Sequence, residues 1–322
     1  MSLIQTLGIV PSHIARLARP ACQTSMLFIV SAFFTLFYAF ITYDTSLKIV
    51  WENVGSNFSF VERLASLWQQ HSGIMMLWTT FFSIFSSLYI VLTRQNTSDT
   101  LSRPVIGVLG FFQVGLVLYL LLFVSPFVKG TAPPQAFVLK TASLTWHHPI
   151  LYMAYMLIAI VYALVMGVLL EGKRVATLSR TAQPWVLAAW GLLLLGILAG
   201  LLLKKYNLGS VLDGWTKIDK ASYITFILLT ALVPLLRFAE HNRIMKKVGF
   251  FVGILVFYQT IIGNLKIQPV SLANMDRLII NDPRSKFLFL FLFVSISFCT
   301  MLYISRVLRS IRKPVEENDQ QQ

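Results

Sequence analysis

Three of the five histidines, His71, His147 and His148, stand within three residues of a tryptophan, Trp68 or Trp146. Imidazole nitrogen ligates transition metals and indole rings give flat apolar cover, a pairing that fits a planar apolar cofactor held by axial imidazole. The competing reading is an interfacial aromatic belt, in which Trp51, Trp68, Trp146, Tyr206 and Trp215 settle at headgroup level with no ligand. Lys204, Lys205, Lys217 and Lys220 flank Trp215 and suit either the acid groups of such a cofactor or a snorkelling rim that needs none. Cys22 and Cys299 form no CxxC and no metal spacing, so a thiol-carrier role has little support. Phosphate-cradling, nucleophile-elbow and HExxH motifs are all missing, and no apolar run carries an ionisable residue near its centre. That last feature argues against a pump or an ion-coupled transporter.

The elements that must carry these residues are set by composition. The chain has 322 residues, 56% hydrophobic and 12% charged, against about 25% charged in a soluble domain. Its apolar residues fall in runs near the roughly 20 residues needed to cross about 30 Å of hydrocarbon. Lipid offers backbone amides no partner, so such runs are helices. The chain therefore reads as all-α, a polytopic integral membrane helical bundle of about eight transmembrane helices. The expected spans are 25–43, 74–93, 105–128, 148–170, 183–203, 221–239, 247–265 and 287–307. Residues 1–24 read as an N-terminal interfacial segment (a targeting segment being the alternative), 25–310 as the membrane domain and 311–322 as a disordered polar tail.

The net charge of +14 does not imply nucleic acid, because the basic residues sit in short loops and make no basic face of soluble size. Fifteen of the 27 Lys and Arg residues fall on the side holding both termini and loops 94–104, 171–182 and 237–247. The positive-inside bias puts that side, and both termini, inside. The opposite side holds the longer loops, 44–73, 129–147, 204–220 and 266–286, and with them His71, His147 and His148.

Several segments then resemble one family. Thr145-Trp-His-His-Pro-Ile-Leu-Tyr-Met-Ala-Tyr155 is similar to the H-P-P-x-L-Y-M-G-Y segment of the cytochrome c maturation haem-lyase family CcmF. Gln183-Pro-Trp-Val-Leu-Ala-Ala-Trp190 resembles its R-P-W-x-L-A-A-W, and Leu195-Gly-Ile-Leu-Ala-Gly200 its L-G-I-x-x-G. Leu67-Trp-Gln-Gln-His-Ser-Gly73 with Leu77-Trp78 resembles W-x-x-H-E-G-S-x-x-L-W, while Ser125-Pro126-Phe127 and Asp282-Pro283 match N-P-F and D-P. Order and spacing hold from about residue 28 to 305, and the match is to the family's N-terminal half only. It implies either one product of a split gene or a chain that has lost the remainder.

The resemblance implies haem handling, with His147 as the one outer-face ligand retained, and as the candidate haem-iron ligand, beside Trp215 and His148 as candidate haem contacts. It also implies a degenerate site. The family's tryptophan-rich outer loop corresponds to Gly209–Ser222, where Trp215 is the one tryptophan and Asp219-Lys-Ala-Ser222 stands for E-N-A-S. The second outer histidine finds Ala273-Asn-Met-Asp-Arg277 in its place, and the buried one finds Val233-Pro234-Leu235. Haem is therefore expected by family and expected to be absent from the isolated chain, and catalysis by this chain alone is not expected. Expected partners are other membrane chains, either the missing half or a neighbour in a respiratory complex, together with the lipid bilayer and an apocytochrome c. Gly196 and Gly200 are the expected packing residues against such a partner. The function expected is cytochrome c biogenesis as part of a multi-chain haem lyase, or, as the alternative, a non-catalytic accessory subunit on the same fold. A split or decayed form points to the mitochondrial inner membrane, with a bacterial cytoplasmic membrane as the alternative.

Overall fold

The computed structural model describes residues 17–93, 102–130, 145–171, 176–208, 217–238 and 243–264, with Leu290, Phe291, Val294, Ser295, Ser297 and Met301 further on. Among the described residues all regular structure is helical. In chain order the helices are α1 (Ala18–Ile41), α2 (Lys48–Asn53), α3 (Phe60–Leu67), α4 (His71–Leu92), α5 (Ser102–Phe123), α6 (His147–Glu171), α7 (Ala176–Leu208), α8 (Lys217–Phe238) and α9 (Arg243–Asn264).

Six of these, α1 and α4 to α8, are long and apolar enough to cross a membrane. Helix α9 has 22 residues, about 33 Å at 1.5 Å per residue, and falls where a seventh span is expected. The eighth expected span, 287–307, lies largely outside the described residues, as do 1–16 and 311–322. Phe291, which is described, stacks on Phe111 of α5 with centroids 5.4 Å apart.

The helix ends depart from the apolar runs. Helix α1 begins at Ala18, ahead of the expected span start at 25. Helix α7 runs over 33 residues and takes in Pro184. An intrahelical ladder, once nucleated, continues past the hydrocarbon edge because each added residue gains its own backbone hydrogen bond.

Segment 44–73, expected as a loop, contains α2 and α3. Helix α3 starts in a capping box: Ser59 Oγ accepts from the Glu62 backbone N–H, and the Glu62 carboxylate accepts from the Ser59 backbone N–H at 2.8 Å. Arg63 donates to the Ile41 carbonyl at 2.9 Å, and its guanidinium lies 5.4 Å from the Tyr43 ring centre, tying this corner to the end of α1. Tyr43 has φ 54°, a left-handed conformation uncommon for a side chain of this size.

Helix α6 is the axis of the bundle. It touches α4, α5, α7 and α9 and is buried along most of its length. A helix apolar all round needs protein on every side or lipid on some, and α6 has protein: Tyr152, Tyr155, Ala159 and Tyr162 are all inside. Tyr162 stacks on Phe257 of α9 at 4.1 Å. Trp78 of α4 meets Tyr152 and Tyr155 edge-on. By contrast Leu195, Leu198 and Leu202 of α7 and Ile224 and Ile227 of α8 are exposed, on faces available to lipid.

Candidate functional site

One end of the bundle gathers the N-terminus of α6, the C-terminal turns of α7 and the N-terminus of α8. The helix directions alternate, so residues far apart in sequence meet there. His147 opens α6, where Pro149 fits the first turn because its missing N–H has no helical partner. Lys204 lies near the end of α7 and Asp219 in the first turn of α8, where a carboxylate also meets the positive end of the helix dipole.

These three form a buried chain. Lys204 Nζ donates to Asp219 Oδ2 at 2.6 Å, and His147 Nε2 lies 3.1 Å from Asp219 Oδ1. The side chains of Lys204, Asp219 and His147 are 11%, 10% and 6% exposed, so the pair is not a solvated rim. A carboxylate accepts only, so His147 Nε2–H is the donor. The other ring nitrogen, Nδ1, is buried and has no hydrogen-bond partner. His148 Nε2 is in the same condition, with the two rings 4.4 Å apart and inclined at 62°.

Close backbone approach makes the cluster possible. A Cβ on Gly200 would sit 2.9 Å from His147 Cδ2, and one on Gly196 would sit 2.6 Å from Leu151 Cδ2. The two glycines, four residues apart on α7, therefore seat α6 of this same chain. This corrects the expectation that they face a partner. Two turns further along α6 from His148, Tyr155 and Ser222 of α8 are joined through their hydroxyls.

The aromatic residues of this end are partly assembled. Trp68 and Trp146 meet at 4.9 Å with planes at 67°, and Trp68 Nε1–H donates to the Thr145 carbonyl at 3.1 Å. His71 opens α4 as a polar entry residue, its Nε2 2.8 Å from the Tyr119 hydroxyl of α5. Trp215 lies outside the described residues. The structure therefore brings His147 and His148 together, and adds Asp219 and Lys204, which sequence reasoning assigned to a loop motif and to a lysine rim. The available signal was two opposite charges fifteen residues apart, each near the end of an otherwise apolar helix.

The fit to haem can be tested on this geometry. Two axial nitrogens on one iron lie trans, about 4 Å apart with bonds of roughly 2 Å, and the macrocycle passes between the rings. His147 and His148 meet edge-on at 4.4 Å between ring centres, which leaves no plane between them. His147 also has Nε2 committed to Asp219 and its ring against Gly200. His147 and His148 thus offer one iron no trans pair of donors, and Pro234, where the resemblance places a buried histidine, has no ligating atom and lies exposed on α8.

No family model matches the chain. Among curated proteins, the cytochrome c-type biogenesis protein CcmF of Haemophilus influenzae is 27% identical over 302 residues, 91% of this chain and 46% of that one. CycK of Rhizobium meliloti is 27% identical over 298 residues, 90% and 44%, and CcmF of Escherichia coli 26% over 288 residues, 86% and 44%. The solved structure of a cytochrome c haem lyase CcmF shares the fold, with a TM-score of 0.73 and 22% identity over 96% of this chain and 48% of that one. The chain spans about half the length of the relatives it matches. Those relatives are bacterial and lend no support to the mitochondrial location. Along about nine-tenths of its length the chain is thus similar to cytochrome c-type biogenesis proteins of the CcmF and CycK type, and it shares the helical fold of a CcmF haem lyase.

Proposed function

We propose that this protein is a component of cytochrome c biogenesis in a bacterial cytoplasmic membrane, acting with at least one further membrane chain. The observation that carries the reading is similarity over about nine-tenths of the chain to cytochrome c-type biogenesis proteins twice its length. Within such an assembly the end of the bundle bearing Trp68, Trp146 and His147 is the surface turned to the haem-loaded partner and to a reduced CxxCH apocytochrome. The haem itself is held chiefly by the partner.

A second reading, a non-catalytic accessory subunit, is favoured by one specific observation: His147 is engaged by Asp219 and Lys204 rather than presented to a macrocycle. Fold does not fix function once a site has changed. Deletion of the gene in its own host, with haem-stained membrane fractions to count covalent c-type cytochromes, tests the proposal. Loss of these cytochromes, restored by the wild-type chain, is the expected result. Undiminished cytochromes would overturn it. Restoration by His147→Ala would assign the accessory role within the same pathway.

A further inference from the structure

The His147, His148 and Asp219 cluster has a geometry that suits a bare ion better than a flat macrocycle. Each residue offers one ligand atom, and the three atoms lie within 4.8 Å of one another, all buried. For metal bonds of about 2.0–2.1 Å, neighbouring ligands of a tetrahedral ion stand roughly 3.3 Å apart. The His147 Nε2 to Asp219 Oδ1 separation is already 3.1 Å, so only the His148 ring has to close in. Two imidazoles and one carboxylate make a donor set for a borderline divalent ion of the zinc, cobalt or nickel class.

A second observation points the same way. His148 Nε2 is a buried nitrogen without a hydrogen-bond partner, a condition that a ligand would relieve. Lys204 occupies Oδ2 of Asp219, which leaves Oδ1 as a monodentate ligand oriented from behind. A small hollow lined by Leu151, Gly200, Lys204, Asp219, Ser222 and Tyr223 adjoins the carboxylate.

We propose that His147, His148 and Asp219 bind one divalent transition-metal ion, which clasps the start of α6 to the start of α8. His147 ligates as a neutral imidazole, so binding at Nε2 places its single ring proton on Nδ1. The site does not rest on the biogenesis reading, and its test needs no haem.

Metal-free protein in detergent is titrated with Co2+, with ligand-field absorption and bound metal per chain as readouts. One Co2+ per chain in a tetrahedral spectrum is expected, displaced by Zn2+. His148→Ala removes a ring with no hydrogen-bond duty on Nε2 and should weaken binding more than about tenfold, whereas His71→Gln, outside the cluster, leaves it unchanged. Asp219→Asn, which can fold less well, is read only after its helical content matches wild type. No stoichiometric Co2+ binding, or binding indifferent to His148→Ala, overturns the proposal.

Discussion

Two histidines open membrane helices at the same end of the bundle, and their surroundings differ in kind. His71 meets a neutral hydroxyl, Tyr119 of α5, and the two rings stand edge to face at 5.9 Å. His147 meets a carboxylate that is itself paired with an ammonium, inside a cluster with little solvent. A neutral hydrogen bond can be made and broken between two helices at small cost. A buried charged chain cannot, because each member left without its neighbour is a charge in a medium of low polarity. The His71 contact is thus an adjustable joint and the His147 cluster a fixed clasp through which α6, α7 and α8 constrain one another.

The largest effect that tests this contrast is Lys204→Met. It strips the ammonium from the Asp219 carboxylate and should cost about 3–5 kcal/mol, read as a large fall in the thermal unfolding midpoint in detergent. Lys204→Met together with Asp219→Leu should recover much of that loss, since both charges are then gone. If Lys204→Met alone is neutral, the clasp does not exist. Gly200→Ala comes next: its new Cβ would stand 2.9 Å from the His147 ring, and overpacking of this kind costs about 1–3 kcal/mol. Tyr119→Phe, at the other histidine, should cost only about 1 kcal/mol, the worth of one neutral hydrogen bond.

The smallest effect lies outside the membrane, at the α3 cap. Hydrogen bonds from the Ser59 side chain and backbone hold the exposed Glu62 carboxyl below its ordinary value of 4.5. A depressed carboxyl contributes its stability above the unfolded-state value and loses it as pH falls through the folded-state value. Glu62→Gln should therefore melt slightly below wild type near neutral pH, with the gap closing as the pH drops through the acid range beneath 4.5. A gap that persists or widens there would show that the capping box is not the source.

Much of the architecture was legible in the residues. Apolar runs of about 20 residues mark the spans because hydrocarbon thickness fixes their length, and α4, α5, α6 and α8 lie within a few residues of their expected limits. The ends of α1 and α7 were not, since backbone hydrogen bonding carries a helix past the apolar run into polar sequence such as Lys204-Lys205-Tyr206. Helices α2 and α3 were missed because they are shorter than any periodic signal, although Ser59-Phe-Val-Glu62 carries the capping pattern. At the site, His147 and His148 could be singled out from their types and their motif. The engagement of His147 by Asp219, 72 positions away, is a product of the alternating helix directions. Gly196 and Gly200 mark a close helix contact in sequence, but only packing decides that the neighbour is Leu151 and His147 of the same chain rather than a partner.

The central claim is that His147 belongs to a closed cluster with Asp219 and Lys204 instead of serving as an open axial ligand. The absorption spectrum of the purified chain after incubation with haem tests it most directly. No Soret band approaching one haem per chain is predicted, for wild type and for His147→Ala alike. A stoichiometric Soret band that His147→Ala abolishes and His148→Ala leaves intact would contradict the claim and make His147 the ligand of a working haem site.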